Sequence, residues 1–160
     1  MDEDKAEKRR RATPAGLISN GCARHCLEDV RHAINWAAEK SPTILAETLK
    51  RGIQSACREL DEEITLYLVA EANAPLEQID PWHLHFMSSL PLWEALIERG
   101  WDINRRSTKQ SGLRYRLIDF VCNRERFVVW LIDHGAQLDD GEKDTCQCPP
   151  FFNPWLGREF

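Results

Sequence analysis

One pattern occurs twice in this sequence at a fixed distance, and it restricts the possible folds more than any other feature. Segments 92–104 and 127–139 each hold an amphipathic stretch followed by an acidic residue, a basic or titratable residue and a glycine. The two glycines, Gly100 and Gly135, are 35 residues apart. The apolar residues also coincide, at Leu92/Phe127, Trp93/Val128, Leu96/Leu131, Ile97/Ile132 and Ile103/Leu138. A period of this length is typical of chains built from stacked copies of one helical unit.

A third copy, residues 65–76, has Asn73 at the glycine position. A helix commonly ends with one residue in the left-handed conformation, which Gly adopts freely and Asn tolerates better than most residues. In each copy an apolar residue lies three positions after the glycine or asparagine. We therefore predict the same ending for all three segments: an amphipathic helix, a left-handed residue and a loop.

Apolar residues further upstream complete the unit. The pattern apolar-x-x-apolar-apolar spans residues 34–38, 82–86 and 117–121, although His85 makes the second copy only partly apolar. Each copy ends 14 positions before a glycine, which is Gly52 in the first case. Fourteen residues cover the end of one helix, a tight turn and a second helix, so the predicted unit is helix–turn–helix–loop. Each such hairpin leaves one apolar face, which it buries against a neighbouring copy.

Segments 96–104 and 131–136 resemble the second helix and following loop of ankyrin repeats, and residues 79–83 with 92–104 resemble the divergent ankyrin proteins of filamentous fungi. The resemblance extends from about residue 64 to residue 140. It implies an all-α fold, a short ankyrin-type solenoid of three to four units, and a role in binding a partner protein through the concave face and loops. It also implies a structural role for His83, in a hydrogen bond to loop backbone between neighbouring units.

The sequence departs from the family pattern in two places. The usual Thr-Pro-Leu-His opening remains only as Pro-Trp-His at residues 81–83, and Arg-Tyr-Arg-Leu replaces it at residues 114–117. Gly52 and Asn73 are only 21 positions apart, too few for a full unit. Either that unit lacks its first helix, or residues 41–51 supply it and the register of the first third is different. Ser-Pro at positions 41 and 42 is typical of a helix start, with Ser as the N-cap.

Three regions are predicted along the chain. Residues 1–16 form a charged, disordered tail, residues 17–144 the repeat domain, and residues 145–160 a Pro-rich irregular tail. The basic run at residues 8–11 is interpreted as a solubilising end, with a nuclear-import or phosphate-binding patch as the alternative. The apolar C-terminal tail either folds back as a makeshift cap on the last helix or replaces further repeats lost from the reading frame.

Composition and charge argue against several classes of function. The formal net charge is −5, which opposes binding to the phosphate backbone of nucleic acids. No stretch approaches the roughly 18 consecutive apolar residues of a membrane span, and the charged N-terminus is unlike a secretory signal. For the six cysteines we therefore expect free thiols in a reducing compartment, the cytoplasm or alternatively the nucleus.

A small helical protein that binds a metal or catalyses a reaction is the alternative function. Cys-x-x-His-Cys at residues 22–26 and Cys-x-Cys at residues 146–148 offer zinc ligands, but their separation favours scattered reduced cysteines. Cys122 and His134 form a nucleophile pair in principle, but nothing nearby indicates an oxyanion hole. Cys57 and Cys122 are expected to be buried as small apolar residues. We predict no enzymatic activity, no metal, no cofactor and no small-molecule substrate.

The loop between the last two units is the predicted partner-binding region, because Trp, Tyr and Arg anchor interfaces more often than other residues. The candidates are Trp101, Arg105, Arg106, Arg114 and Tyr115. Two of them, Arg105 and Arg106, are suited to paired hydrogen bonds with carboxylates. Alternatively, Trp101 fills a gap where the family usually has a small Ala, and the arginines belong to a plain solvated loop. The predicted core contains Trp93, Leu96, Ile97, Phe127, Trp130, Leu131 and Ile132.

Overall fold

The computed structural model describes residues 13–108, 115–121 and 124–138. Within these ranges the chain forms eight α-helices and one 3-10 turn, with no β-strand. The all-α prediction is therefore confirmed for this part of the chain. Among the described residues, none of the helices combines the length and apolar character that crossing a membrane requires.

The helices follow one another with short connections. They are α1 Pro14–Ala23, α2 Leu27–Lys40, α3 Pro42–Glu59, α4 Glu62–Ala70, the 3-10 turn Leu76–Gln78, α5 Pro81–Leu84, α6 Leu90–Glu98, α7 Leu117–Phe120 and α8 Glu125–Asp133. The first helix begins inside the predicted tail 1–16. Pro14 occupies its first turn, and the Thr13 hydroxyl accepts a hydrogen bond from the Gly16 N–H at 3.1 Å. Residues 1–12 and the predicted C-terminal tail 145–160 lie outside the described residues.

The helices pack in two rows. The first helices of successive pairs, α1, α3, α5 and α7, contact one another in order, and the second helices α2, α4 and α6 do the same. Aromatic rings extend the second row to α8, since the Trp93 ring lies 4.7 Å from that of Phe127 and 5.7 Å from that of Trp130. Each helix pair therefore buries its apolar face mainly against the next pair.

The predicted left-handed helix ends are confirmed. The φ angles are 58° at Asn73, 80° at Gly100 and 91° at Gly135. The residue after each glycine donates its backbone N–H to a carbonyl in the last turn of the helix. Trp101 donates to Leu96 and Ala136 donates to Leu131, both at 2.9 Å. These bonds satisfy carbonyls that a helix end otherwise leaves unpaired.

Side chains connect each helix end to the next copy of the unit. The Arg99 guanidinium donates to the Val69 carbonyl at 2.8 Å, to the Ala74 carbonyl at 3.0 Å and to the side-chain oxygen of Asn73. One unit later, the Asn104 amide donates to the Gly135 carbonyl at 3.1 Å. The residues around successive left-handed ends are thus in direct contact.

Gly52 was predicted to end a helix, and this prediction is wrong. Gly52 is buried inside α3, which continues to Glu59 and ends at Leu60, where φ is 56°. The start of α3 follows the prediction, with Pro42 in the first turn and the Ser41 hydroxyl accepting the Ile44 N–H at 3.2 Å. Residues 41–51 therefore belong to α3 and its N-cap, and α3 is the long first helix of the second helix pair. Residues 34–38 lie in α2, the second helix of the first pair.

Gly52 is a glycine because of close packing against α1. A Cβ atom added here would overlap Ile18 Cδ1 and lie 3.1 Å from Ile18 Cγ1. We expect Gly52→Ala to lower the free energy of unfolding by about 1–2 kcal/mol, although alanine favours helices. Urea unfolding followed by circular dichroism measures this. The additional change Ile18→Val removes Cδ1 and should recover part of the loss; no recovery would contradict the packing explanation.

Most of the predicted core residues are at least half-buried, but Ile132 is not. Ile132 is 43% exposed, and Val129 on the same helix is 53% exposed. Both lie on α8, the last described helix, where no further described helix pair covers the outer side. By contrast, Trp93, Leu96 and Leu131 are almost completely buried between units.

Candidate partner-binding surface

Trp101 is a core residue, so its prediction as a partner contact is corrected. Its side chain is 5% exposed and lies beside Trp93, Leu96 and Leu131. The indole N–H donates to the Ile79 carbonyl at 3.4 Å. The large ring fills space between the last two units, as the alternative interpretation of this residue stated.

Arg105 contacts backbone of the same chain. One guanidinium nitrogen lies 3.4 Å from the Leu76 carbonyl and another 2.7 Å from the Glu77 carbonyl. These bonds tie the loop after α6 to the 3-10 turn before α5. Arg105 therefore positions the loop, and its predicted pairing with partner carboxylates competes with these internal bonds.

Arg106 and Tyr115 are brought together across the loop. Arg106 pairs with Arg116 in an isolated antiparallel bridge, and the Ser107 N–H donates to the Tyr115 carbonyl at 2.7 Å. The side chain of Arg106 is exposed and that of Tyr115 is half-buried. Both remain candidates for partner contact, whereas Arg114 lies outside the described residues.

A buried carboxylate, Asp80, holds this loop in place. Its side chain accepts hydrogen bonds from the Ser107 hydroxyl at 2.5 Å, the Thr108 N–H at 2.9 Å, the Thr108 hydroxyl at 3.1 Å and the Trp82 N–H at 2.9 Å. Burial by itself would raise the pKa of Asp80, but the hydrogen bonds from Ser107, Thr108 and Trp82 outweigh it and lower the pKa. Asp80 is therefore ionised at neutral pH, and it joins the start of α5 to the loop that carries Arg106.

Asp80 was missed at the sequence level, although a local signal exists. Asp directly before Pro81 is typical of an N-cap, and Asp80 does cap α5 through the Trp82 N–H. Its bonds to Ser107 and Thr108 span 27 and 28 residues and depend on the packing of neighbouring units.

Five rings form a cluster beside this loop. We call Trp82, His85, Phe86, Tyr115 and Phe120 the aromatic cluster. The Trp82 ring lies 5.6 Å from Phe86 and 5.5 Å from Phe120, the His85 ring lies 4.9 Å from Phe120, and Tyr115 lies 5.5 Å from Phe120. Phe86 is 40% exposed, so the cluster presents apolar ring surface to solvent. Tyr115, another member, accepts the N–H of Ser107, the residue after Arg106, through its carbonyl.

The buried member of the aromatic cluster should make stability depend on pH. Burial lowers the pKa of His85 to about 4; the charges of Arg124 and His83 also lower it, and a hydrogen bond to the Trp82 backbone acts in the opposite direction. His85 is therefore neutral at pH 7. Because its folded pKa lies below the ordinary 6.5, its contribution is full above pH 6.5 and is lost as the pH falls toward 4.

We expect the free energy of unfolding to fall by about 2 kcal/mol more in wild type than in His85→Phe between pH 6.5 and pH 4. Urea unfolding at half-unit pH steps measures the difference between the two proteins. Comparison with the variant cancels the titration of carboxylates elsewhere. Parallel pH profiles would contradict a buried, neutral histidine.

The described residues named for the chemical alternatives do not belong to the aromatic cluster. Cys22 and Cys57 are free and buried, and burial raises the pKa of each thiol to about 12. The burial of Cys57 confirms its predicted role as a small core residue.

His25 Nδ1 lies 2.7 Å from an Asp61 carboxylate oxygen. Within the described residues no group of three or more His, Cys, Asp and Glu could hold a metal ion. Cys122, Cys146 and Cys148, for which predictions were also made, lie outside the described residues.

In comparisons with protein-family models, with curated proteins and with solved structures, nothing matches this chain.

Proposed function

We propose that this chain is a divergent ankyrin-type module that binds a partner protein through Arg106 and the exposed rings of the aromatic cluster. The two rows of helices and the repeated left-handed ends support the ankyrin interpretation. The exposed Phe86 ring supports the binding role, and so does the exposed Arg106 on a loop that a buried carboxylate holds and that Tyr115 joins to the aromatic cluster. This surface is the main support for the proposal, because a fold alone does not specify a function.

The chemistry of this surface suits a partner segment with an apolar side chain next to a carboxylate. Partly exposed rings such as Phe86 supply apolar contact area, and Tyr115 adds a hydroxyl. Arg106 offers a planar set of donors for a carboxylate. Because Asp80 and Arg105 already hold the loop, little conformational entropy is lost when a partner binds.

A reducing intracellular location is part of the proposal. The free, buried thiols of Cys22 and Cys57 support it, because free thiols persist in a reducing compartment. The acidic net charge of −5 supports a protein partner over nucleic acid.

Proximity labelling in source cells, with quantitative capture of the labelled proteins, tests this function. The variant Phe86→Ser with Arg106→Glu removes an exposed ring and reverses an exposed charge. A matched control, Ile44→Ser with Arg126→Glu, makes the same kinds of change at exposed positions on α3 and α8. Circular dichroism shows that all three proteins are folded.

We expect wild type and the control to capture the same partner, and the surface variant to lose about 30-fold or more in affinity for it. Equal capture by all three proteins would place the interface elsewhere. Absence of any partner above background would contradict the binding function itself.

A further inference from the structure

A second surface feature, a groove between α1 and α3, lies outside the aromatic cluster. Its volume is about 670 Å³, within the usual range for ligand sites. Gly16, Ser19 and Asn20 of α1 contribute to one wall, and Arg51, Gln54 and Arg58 of α3 form most of the other. Its lining combines polar and apolar atoms in similar shares, and it includes two arginines, unlike the ring surface described above.

The groove stays open because α1 has small residues where it faces the arginines. Ala15, Gly16, Ser19 and Ala23 line this side, and none has a side chain long enough to fill the space. At its base the Ser55 hydroxyl lies 3.4 Å from the Ser19 hydroxyl. The base of the groove thus offers two hydroxyl groups for hydrogen bonds.

Positive charge in the groove contrasts with the acidic chain around it. Arg51 and Arg58 are both exposed, while the chain as a whole carries −5. Arg58 contacts Glu59 at 3.1 Å, but its side chain is 67% exposed, and ion pairs at the surface contribute little. Both guanidiniums are therefore accessible to an anionic ligand.

The spacing of the two arginines indicates the form of that ligand. Residues seven apart on a helix lie on the same face, about 10.5 Å apart along its axis. In a peptide with polyproline II conformation, which has three residues per turn and rises about 3.1 Å per residue, side chains three residues apart lie on the same face, about 9 Å apart. Between the arginines, Gln54 donates to the Gln78 side chain at 2.7 Å, and Asn20 lies across the groove. Such amides are suited to hydrogen bonds with peptide backbone.

We propose that the groove binds an acidic peptide segment in the polyproline II conformation, in which two carboxylates, three residues apart, pair with Arg51 and Arg58. Guanidinium–carboxylate pairs supply the orientation, because each forms two parallel hydrogen bonds. This site does not depend on the aromatic cluster and accepts a different chemistry. A partner that carries both an aromatic-binding segment and an acidic segment would gain affinity from occupying the two sites together.

Fluorescence anisotropy with the full-length chain tests the groove directly. The probe is a labelled peptide Gly-Glu-Ser-Thr-Glu-Ser-Gly, and its twin has glutamine in place of both glutamates. We expect the acidic peptide to bind about tenfold more tightly than the twin, and its affinity to fall as salt is added. The variant Arg51→Gln with Arg58→Gln should lose that tenfold preference.

The matched control is Lys40→Gln with Lys50→Gln, which removes the same net charge from exposed positions outside the groove. It should bind the acidic peptide as wild type does, and so should the variant Phe86→Ser with Arg106→Glu. Amide NMR shifts on peptide addition should centre on Ser19, Asn20 and Gln54. Equal binding of both peptides, or equal loss in the lysine variant, would overturn the proposal and leave the aromatic surface unaffected.

Discussion

Replacing Trp93 with alanine is expected to lower the free energy of unfolding by about 3–5 kcal/mol, the largest effect we anticipate for a single substitution in this chain. The ring is 2% exposed in α6 and contacts Phe127 and Trp130 of α8. Truncation removes these contacts and leaves a cavity between the last two helix pairs. The α8 helix would then lose much of its attachment to the second row.

Trp93→Phe is the informative control for this prediction. Among the described residues the Trp93 indole N–H has no hydrogen-bond partner, so phenylalanine removes a buried, unpaired donor while keeping most of the apolar contact. We expect it to cost less than about 1.5 kcal/mol. Urea unfolding monitored by circular dichroism measures both variants. If alanine cost no more than phenylalanine, the contact between α6 and α8 would not depend on this ring.

Asp80→Ala should cost about 3 kcal/mol, because it leaves several donors without their acceptor. The Ser107 hydroxyl is buried, and the N–H groups of Thr108 and Trp82 also donate to this carboxylate. The substitution also removes the N-cap of α5. We therefore expect a second effect, faster hydrogen exchange in residues 106–108, which lie in the loop that carries Arg106.

Two comparisons separate the contributions of Asp80. Asp80→Asn keeps one acceptor oxygen and should cost about half as much as alanine. Because the pKa of Asp80 is lowered in the folded chain, its stabilising effect is full above its ordinary value of 3.8 and is lost as the pH falls through the lower folded value. The difference between wild type and Asp80→Ala should therefore shrink under strong acid. A constant difference would argue against an ionised, hydrogen-bonded carboxylate.

The features that were predicted correctly from the sequence depend on few neighbouring residues. Asn73, Gly100 and Gly135 end helices because a left-handed residue is needed there and its cost is set by its own side chain. The start of α3 at Ser41 and Pro42 depends on one local hydrogen bond. The helical periodicity of the apolar residues likewise indicated an all-α chain.

Tertiary structure alone decided the roles of residues whose local sequence is ambiguous. Glycine can end a helix or allow close packing, and only the position of Ile18 shows that Gly52 does the second. Trp101 and Arg105 are suited to a partner contact by residue type, but their side chains donate hydrogen bonds to backbone carbonyls of Ile79 and the 3-10 turn, which lie more than 20 positions earlier in the chain. The sequence by itself determined the helices and their left-handed ends, because those depend on backbone conformation within one turn. Which side chains remain on the surface was decided only when the units packed, because burial depends on residues 20 to 30 positions away along the chain.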